Sequence, residues 1–313
     1  MAKEVKKAQP KKTAAAGPRV RKLTKKQARQ QAKKDTSKQT PLPNSWQLLR
    51  QVFSELRQFW KPLGGIFLVY LVLNVIFASG FISGINDTVN TVRNDLAGHH
   101  NLGKALSGYG TLLGSGAASG QTSSATQSIL LIIESLAIIW ALRHLLAKEK
   151  IGIKQTYYQA MAPLIPFILL VFVIILQLLP LTLGSFLLAL VLSSAVSGGW
   201  LTVLFVLVLA ILAVWSFYML SSSVFGLYIV TLPDMQPRQA LRSAKNLVRF
   251  RRLAIMRRLL FLPICLLILL GIIMVPIILL VPFLATPAFF VLAMLSILLV
   301  HAYLYSLYRG LIA

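Results

Sequence analysis

The chain has 313 residues, 57% of them hydrophobic and only 13% charged, with a mean hydropathy of +0.74. Soluble domains average about 25% charged residues, so this composition excludes an ordinary soluble domain and indicates an all-α, multi-pass membrane helix bundle. The formal net charge of +24 is uneven, since residues 1–61 hold 17 Lys or Arg against Glu4, Asp35 and Glu55.

Residues 1–43 are rich in Lys, Gln and Ala, contain Pro10, Pro18, Pro41 and Pro43, and lack aromatic residues. Such a composition cannot bury enough surface to fold alone, so a disordered basic tail on the cytoplasmic side is expected. The first apolar run begins only after Pro62, which argues against a signal peptide. Asn44 and Gln47 have the spacing of a capping box, and Trp46, Leu49, Phe53, Leu56 and Trp60 then recur at helical intervals opposite Arg50, Arg57 and Lys61. This pattern predicts an amphipathic helix over 44–61 lying in the headgroup layer, with Trp46 and Trp60 as interfacial anchors.

The membrane domain is expected over 62–313. The first span covers 62–82 and the second about 127–147, each near the 20 residues that a hydrocarbon core requires. Between them, 83–126 is rich in Gly, Ser, Thr and Asn; Ile85, Val89, Val92 and Leu96 suggest a short amphipathic helix at its start, and Asp87, Arg93, Asp95 and Lys104 cancel. The apolar block from Pro163 to about Ser194 is long for one straight helix, and Pro180 with Gly184 offers a kink or break. Its first part is the third span, and 183–195 is either a tilted continuation or a re-entrant piece. The fourth span runs from about Trp200 to Thr231, the fifth over 259–281 and the sixth over 286–308, the last two joined through Pro282 and Pro287.

The connections carry the orientation. The N-terminal segment, 143–154 (Arg143, Lys148, Lys150, Lys154) and 235–258 are basic, whereas 83–126 is balanced and 194–199 and 282–287 carry no Lys or Arg. Six spans place every basic connection on one face, so both termini are expected in the cytoplasm of a plasma-membrane protein. Within 235–258, Arg238, Arg242, Lys245, Arg249 and Arg252 fall at three- and four-residue steps before Arg257 and Arg258. On a helix these form one basic stripe, and with Trp46 and Trp60 they are the candidate lipid-binding residues.

Glu134 is the one acidic residue deep in an expected span, where a carboxyl must be protonated, paired or hydrated. Asn74, Gln177 and His301 are its candidate intramembrane partners, with Arg143 and His144 further along the same helix. His99 and His100 lack a ligand set at metal spacing, Cys265 stands alone in an apolar block, and Asn86-Asp87-Thr88 is a sequon with a high chance-match rate. Neither a phosphate loop nor a nucleophile elbow appears, so no catalytic residue, metal or cofactor is expected.

The stretch from Leu227 to Arg252 closes one span and leads into another through a basic helix. It resembles the integral membrane domain fused to some bacterial glycerophosphodiester phosphodiesterases, in which an Ala-Leu-Arg-Arg-Ser-Trp-x-Leu-like pattern precedes a basic turn. Ala240-Leu241-Arg242-Ser243 and Leu247 match, whereas Ala244-Lys245 departs from the Trp-containing form. A second echo runs from Ala141-Leu142-Arg143 to Tyr158, and no phosphodiesterase domain follows Ala313. The resemblance implies a six-span membrane module of unassigned activity and licenses no hydrolase chemistry.

Three functions follow from these features. The first is a non-catalytic membrane module engaging anionic lipid, and a protein partner, through cytoplasmic basic surfaces. A transporter or channel using Glu134 and helices interrupted by proline is the second. The third is ribosome or nucleic-acid docking by the tail, which without aromatic residues would be non-specific.

Overall fold

A computed structural model describes residues 43–77, 90, 121–193, 199–233, 235–249 and 251–312. The tail before Pro43, the expected helix over Ile85–Leu96, His99, His100 and the Asn86 sequon lie outside the described residues. Among the described residues there is no strand, and the elements are α1 (Ser45–Gln58), α2 (Trp60–Phe77), α3 (Gln121–Leu146), α4 (Ile153–Ala160), α5 (Leu164–Ser193), α6 (Gly199–Val230), α7 (Pro237–Val248), α8 (Arg252–Leu280), a 3-10 turn (Pro282–Leu284) and α9 (Ala285–Ile312). Six of these, α2, α3, α5, α6, α8 and α9, are long and apolar enough to cross a membrane. The chain is an integral membrane protein built as an all-α polytopic bundle.

Helix α1 opens with the Gln47 side chain accepting a hydrogen bond from the Asn44 N–H at 3.2 Å. Its buried face is Leu48, Leu49 and Val52, while Trp46 and Phe53 stay exposed; Trp60, also exposed, is the first residue of α2. The expected single apolar stripe is therefore split into two. One side docks on α9, where Ser306 donates to Glu55 at 3.0 Å, and the other presents the tryptophans outward.

Helix α5 passes through Pro180 without a break, which resolves 183–193 as a continuation of the third span. In hydrocarbon an unsatisfied backbone group costs several kcal/mol, so keeping the remaining helical bonds outweighs the local cost of proline. The basic segment 235–258 is not one helix. α7 ends at Val248, whose carbonyl accepts from Arg251 N–H at 3.0 Å, and α8 starts at Arg252. Ala240, Ala244 and Val248 lie flat along α6, and α8 must then turn away to cross the bundle. Arg238, Arg242 and Lys245 thus share α7, with Arg249 at its C-cap, whereas Arg252, Arg257 and Arg258 belong to a spanning helix.

The centre is formed by α3 and α9, each 56% buried over its apolar stretch against 11% for α5. A large cluster joins α1, α3, α6, α7 and the second half of α9, and a smaller one joins Tyr70, Leu130, Met274, Ile278, Phe289, Phe290 and Met294. Hydrogen bonds from α9 to α1 and α8, from α3 to α6 and from α4 to α2 gather the basic connections at the first cluster's end.

Candidate functional site

Helix α3 carries Glu134, Ser135, Arg143 and His144, and its neighbours receive them in three separate arrangements. Glu134 is 2% exposed, and its Oε2 accepts from the Tyr157 hydroxyl at 2.7 Å. The same hydroxyl lies 3.1 Å from Ile66 O, so one phenolic proton faces two acceptors. A neutral Glu134 satisfies both, donating to Tyr157 Oη while the phenol donates to Ile66 O. Burial holds the Tyr157 phenol above its ordinary range, so it stays protonated at physiological pH. The Ile153 side chain of α4 packs against Gly65 of α2, in space that a Cβ would enter.

None of the expected partners is hydrogen-bonded to Glu134. Asn74 Nδ2 donates to Tyr70 O at 3.0 Å, and among the described residues Asn74 Oδ1 and Gln177 Oε1 have no hydrogen-bond partner. His301 bridges Tyr228 and Ser135, with Nδ1 at 3.2 Å from Tyr228 Oη and Nε2 at 3.0 Å from Ser135 Oγ. Ser135 spends its own proton on Leu131 O at 2.7 Å, so Nε2 must be the donor and Nδ1 accepts from Tyr228. Every proton in this chain has one destination, and a neutral imidazole satisfies it.

Arg143 closes the C-terminus of α6. Its Nη1 donates to Thr231 O at 2.8 Å, and its Nη2 donates to Tyr228 O at 3.2 Å and to Thr231 Oγ1 at 2.5 Å. The last carbonyls of a helix lack intrahelical donors and carry the negative end of its dipole, so a guanidinium there supplies both bonds and charge. Arg143 makes no ion pair among the described residues; His144, stacked on Trp140 with ring centres 3.8 Å apart, approaches Glu149 at 3.9 Å.

The basic surface is carried by α7. Arg238, Arg242, Lys245 and Arg249 are exposed opposite the buried Ala240, Ala244 and Val248. Arg257 is exposed on α8, and Arg252 stacks over Tyr218 at 4.6 Å from the ring centre. Arg258 turns inward. It is 7% exposed and its Nε donates to Pro43 O at 2.9 Å, tying the start of the described chain to α8 and leaving that side chain no lipid-facing position.

Tyr157, Thr231 and Ser135 were not singled out by the sequence, although their neighbours were. Tyr157 falls in the short basic echo near Arg143, but nothing local reveals which residue its hydroxyl meets. Among the described residues no group of three His, Cys, Asp or Glu could hold a metal. No family model, curated protein or solved structure matches this chain.

Proposed function

We propose that the chain is a non-catalytic module of the bacterial plasma membrane, with both termini cytoplasmic, that gathers anionic lipid at its basic end. The observation that carries this reading is α7, a helix whose small apolar face is fixed on α6 while Arg238, Arg242, Lys245 and Arg249 face outward. Each such cation near an anionic leaflet contributes about 1 kcal/mol, so the four act together as a headgroup collector. The exposed Trp46 and Trp60 at the same end suit the headgroup layer.

The resemblance to the phosphodiesterase-associated membrane domain fits this reading as one of module type. Use of Glu134 in a transport path is less favoured, because Glu134 is bonded to Tyr157 and serves to hold α4 on α2 and α3. In nanodiscs of mixed phosphatidylglycerol and phosphatidylcholine, the purified protein should enrich the anionic lipid around itself. Replacing the four α7 cations by Gln should remove most of that enrichment and its salt sensitivity. Enrichment unchanged in that variant would refute the assignment to α7.

A further inference from the structure

The contact between α2 and α3 holds three polar side chains whose hydrogen bonding is incomplete, Tyr70, Asn74 and Glu134. Ile66, Tyr70 and Asn74 recur at four-residue steps, so they share one face of α2, and all three are buried. Tyr70 belongs to the same buried cluster as Leu130, which precedes Glu134 by one turn of α3. Long side chains on a helix lean towards its N-terminus, which carries the Tyr70 hydroxyl back towards the level of Ile66, where Tyr157 and Glu134 meet. The hydroxyl accordingly lies near both of them, with the Asn74 side chain beside it.

Tyr70 is 2% exposed and Asn74 0%, yet among the described residues neither Tyr70 Oη nor Asn74 Oδ1 has a hydrogen-bond partner. A buried polar group left unmatched costs about 1–3 kcal/mol, and two of them beside a carboxyl in hydrocarbon call for a common partner. Their needs are complementary. Tyr70 has a proton to donate, Asn74 Oδ1 can only accept, and a neutral Glu134 that donates through Oε2 to Tyr157 keeps Oε1 as a second acceptor. A water molecule accepts from the first and donates to the other two, which are the three bonds typical of buried water. A bare cation would leave the phenolic proton without an acceptor. The donor count therefore selects water over sodium.

We propose that Tyr70, Asn74 and Glu134 bind one buried water molecule, which hydrates the intramembrane carboxyl and ties α2 to α3. Both oxygens of the acid are then matched, Oε2 by Tyr157 and Oε1 by the water. The site is independent of the basic surface on α7.

The full-length protein in dodecyl maltoside, a detergent without ester carbonyls, is examined by infrared spectroscopy at neutral pH. The C=O stretch of a protonated carboxyl should be present and should vanish in Glu134→Gln. An O–H stretch that moves when the solvent is changed to H₂¹⁸O should be present in wild type and lost in the double variant Tyr70→Phe/Asn74→Leu. In that variant the Glu134 C=O stretch should also rise in wavenumber, because Oε1 has lost its donor. Tyr70→Phe alone keeps the ring in its cluster and should shift both bands, so the test stands even where the double variant does not fold. Bands unchanged in both variants would overturn the site. A C=O stretch that shifts in Tyr70→Phe with no ¹⁸O-sensitive band in wild type would mean that Tyr70 meets Glu134 directly, and would overturn the water. Replacement of the C=O stretch by carboxylate bands when sodium chloride takes the place of choline chloride would mean a cation site, and would equally overturn it.

Discussion

The guanidinium of Arg143 donates to the backbone carbonyl of Thr231 at 2.8 Å and to its hydroxyl at 2.5 Å, so a side chain from α3 caps α6 through a residue 88 positions further along the chain. The contact fixes where α6 stops and where the link to α7 begins. The basic helix α7 follows from that position.

Arg143→Gln should lower stability by about 1–3 kcal/mol, the cost of leaving half-buried carbonyls unpaired. Arg143→Lys should recover only part of this, because an ammonium cannot reach Tyr228 O and both Thr231 oxygens with the reach of a planar fork. Thermal unfolding in one detergent compares the three proteins, and equal midpoints would show that the cap contributes nothing.

Glu134→Gln should fold and retain most of its stability, since an amide can still meet the Tyr157 hydroxyl. Tyr157→Phe removes the bonds to both Glu134 and Ile66 and should cost about 1–2 kcal/mol. The phenol is held above its ordinary range, so its contribution is complete below about pH 10 and is lost as the pH rises beyond the ordinary tyrosine range. The stability gap between wild type and Tyr157→Phe should therefore narrow in alkaline buffer. A gap that widened there would contradict the assigned donor.

Lys148 has φ of 62°, in the left-handed region. It follows α3 in a Schellman arrangement, with Lys148 N–H donating to Leu145 O at 2.9 Å and Glu149 N–H to His144 O at 3.0 Å. Glycine adopts this backbone without a Cβ penalty, so Lys148→Gly should raise stability by up to about 1 kcal/mol. A loss of stability measured by unfolding would mean that the lysine side chain does more there than its backbone costs.

The topology is tested in a Cys265→Ala background with single cysteines at Gly116 and Lys150. A membrane-impermeant maleimide should label Gly116→Cys from outside intact cells and Lys150→Cys only after permeabilisation. Labelling of both from one side would end the six-span topology.

The spans were legible because each is a long apolar run between polar or basic connections. The fourth, expected from about Trp200 to Thr231, is the helix Gly199–Val230. Hydropathy could not decide whether Pro180 breaks a helix, because that turns on whether other groups would satisfy the freed backbone. It also hid the end of α7 at Val248, since Arg238 to Arg252 keeps a helical spacing past it. The polar contacts were the least legible. Glu134 was recognisable as a misfit in hydrocarbon, yet its partner sits on an eight-residue helix outside the spans, packed on α2 through Ile153 and Gly65. His301 likewise looked like a mate for Glu134, although Ser135, one residue further along α3, points towards α9 and takes it.

The second cluster, where Met274, Met294, Phe289 and Phe290 meet Tyr70 and Leu130, lies at the ends of the helices remote from Arg143. Thioether and ring contacts have no strict direction, and methionine repacks readily when its neighbours slide. The bundle is thus pinned at its charged end and lubricated at the other. A thicker or thinner bilayer would splay or gather the remote tips like the ribs of a fan, while the grip of Arg143, Tyr157 and Arg258 keeps the charged rim in register.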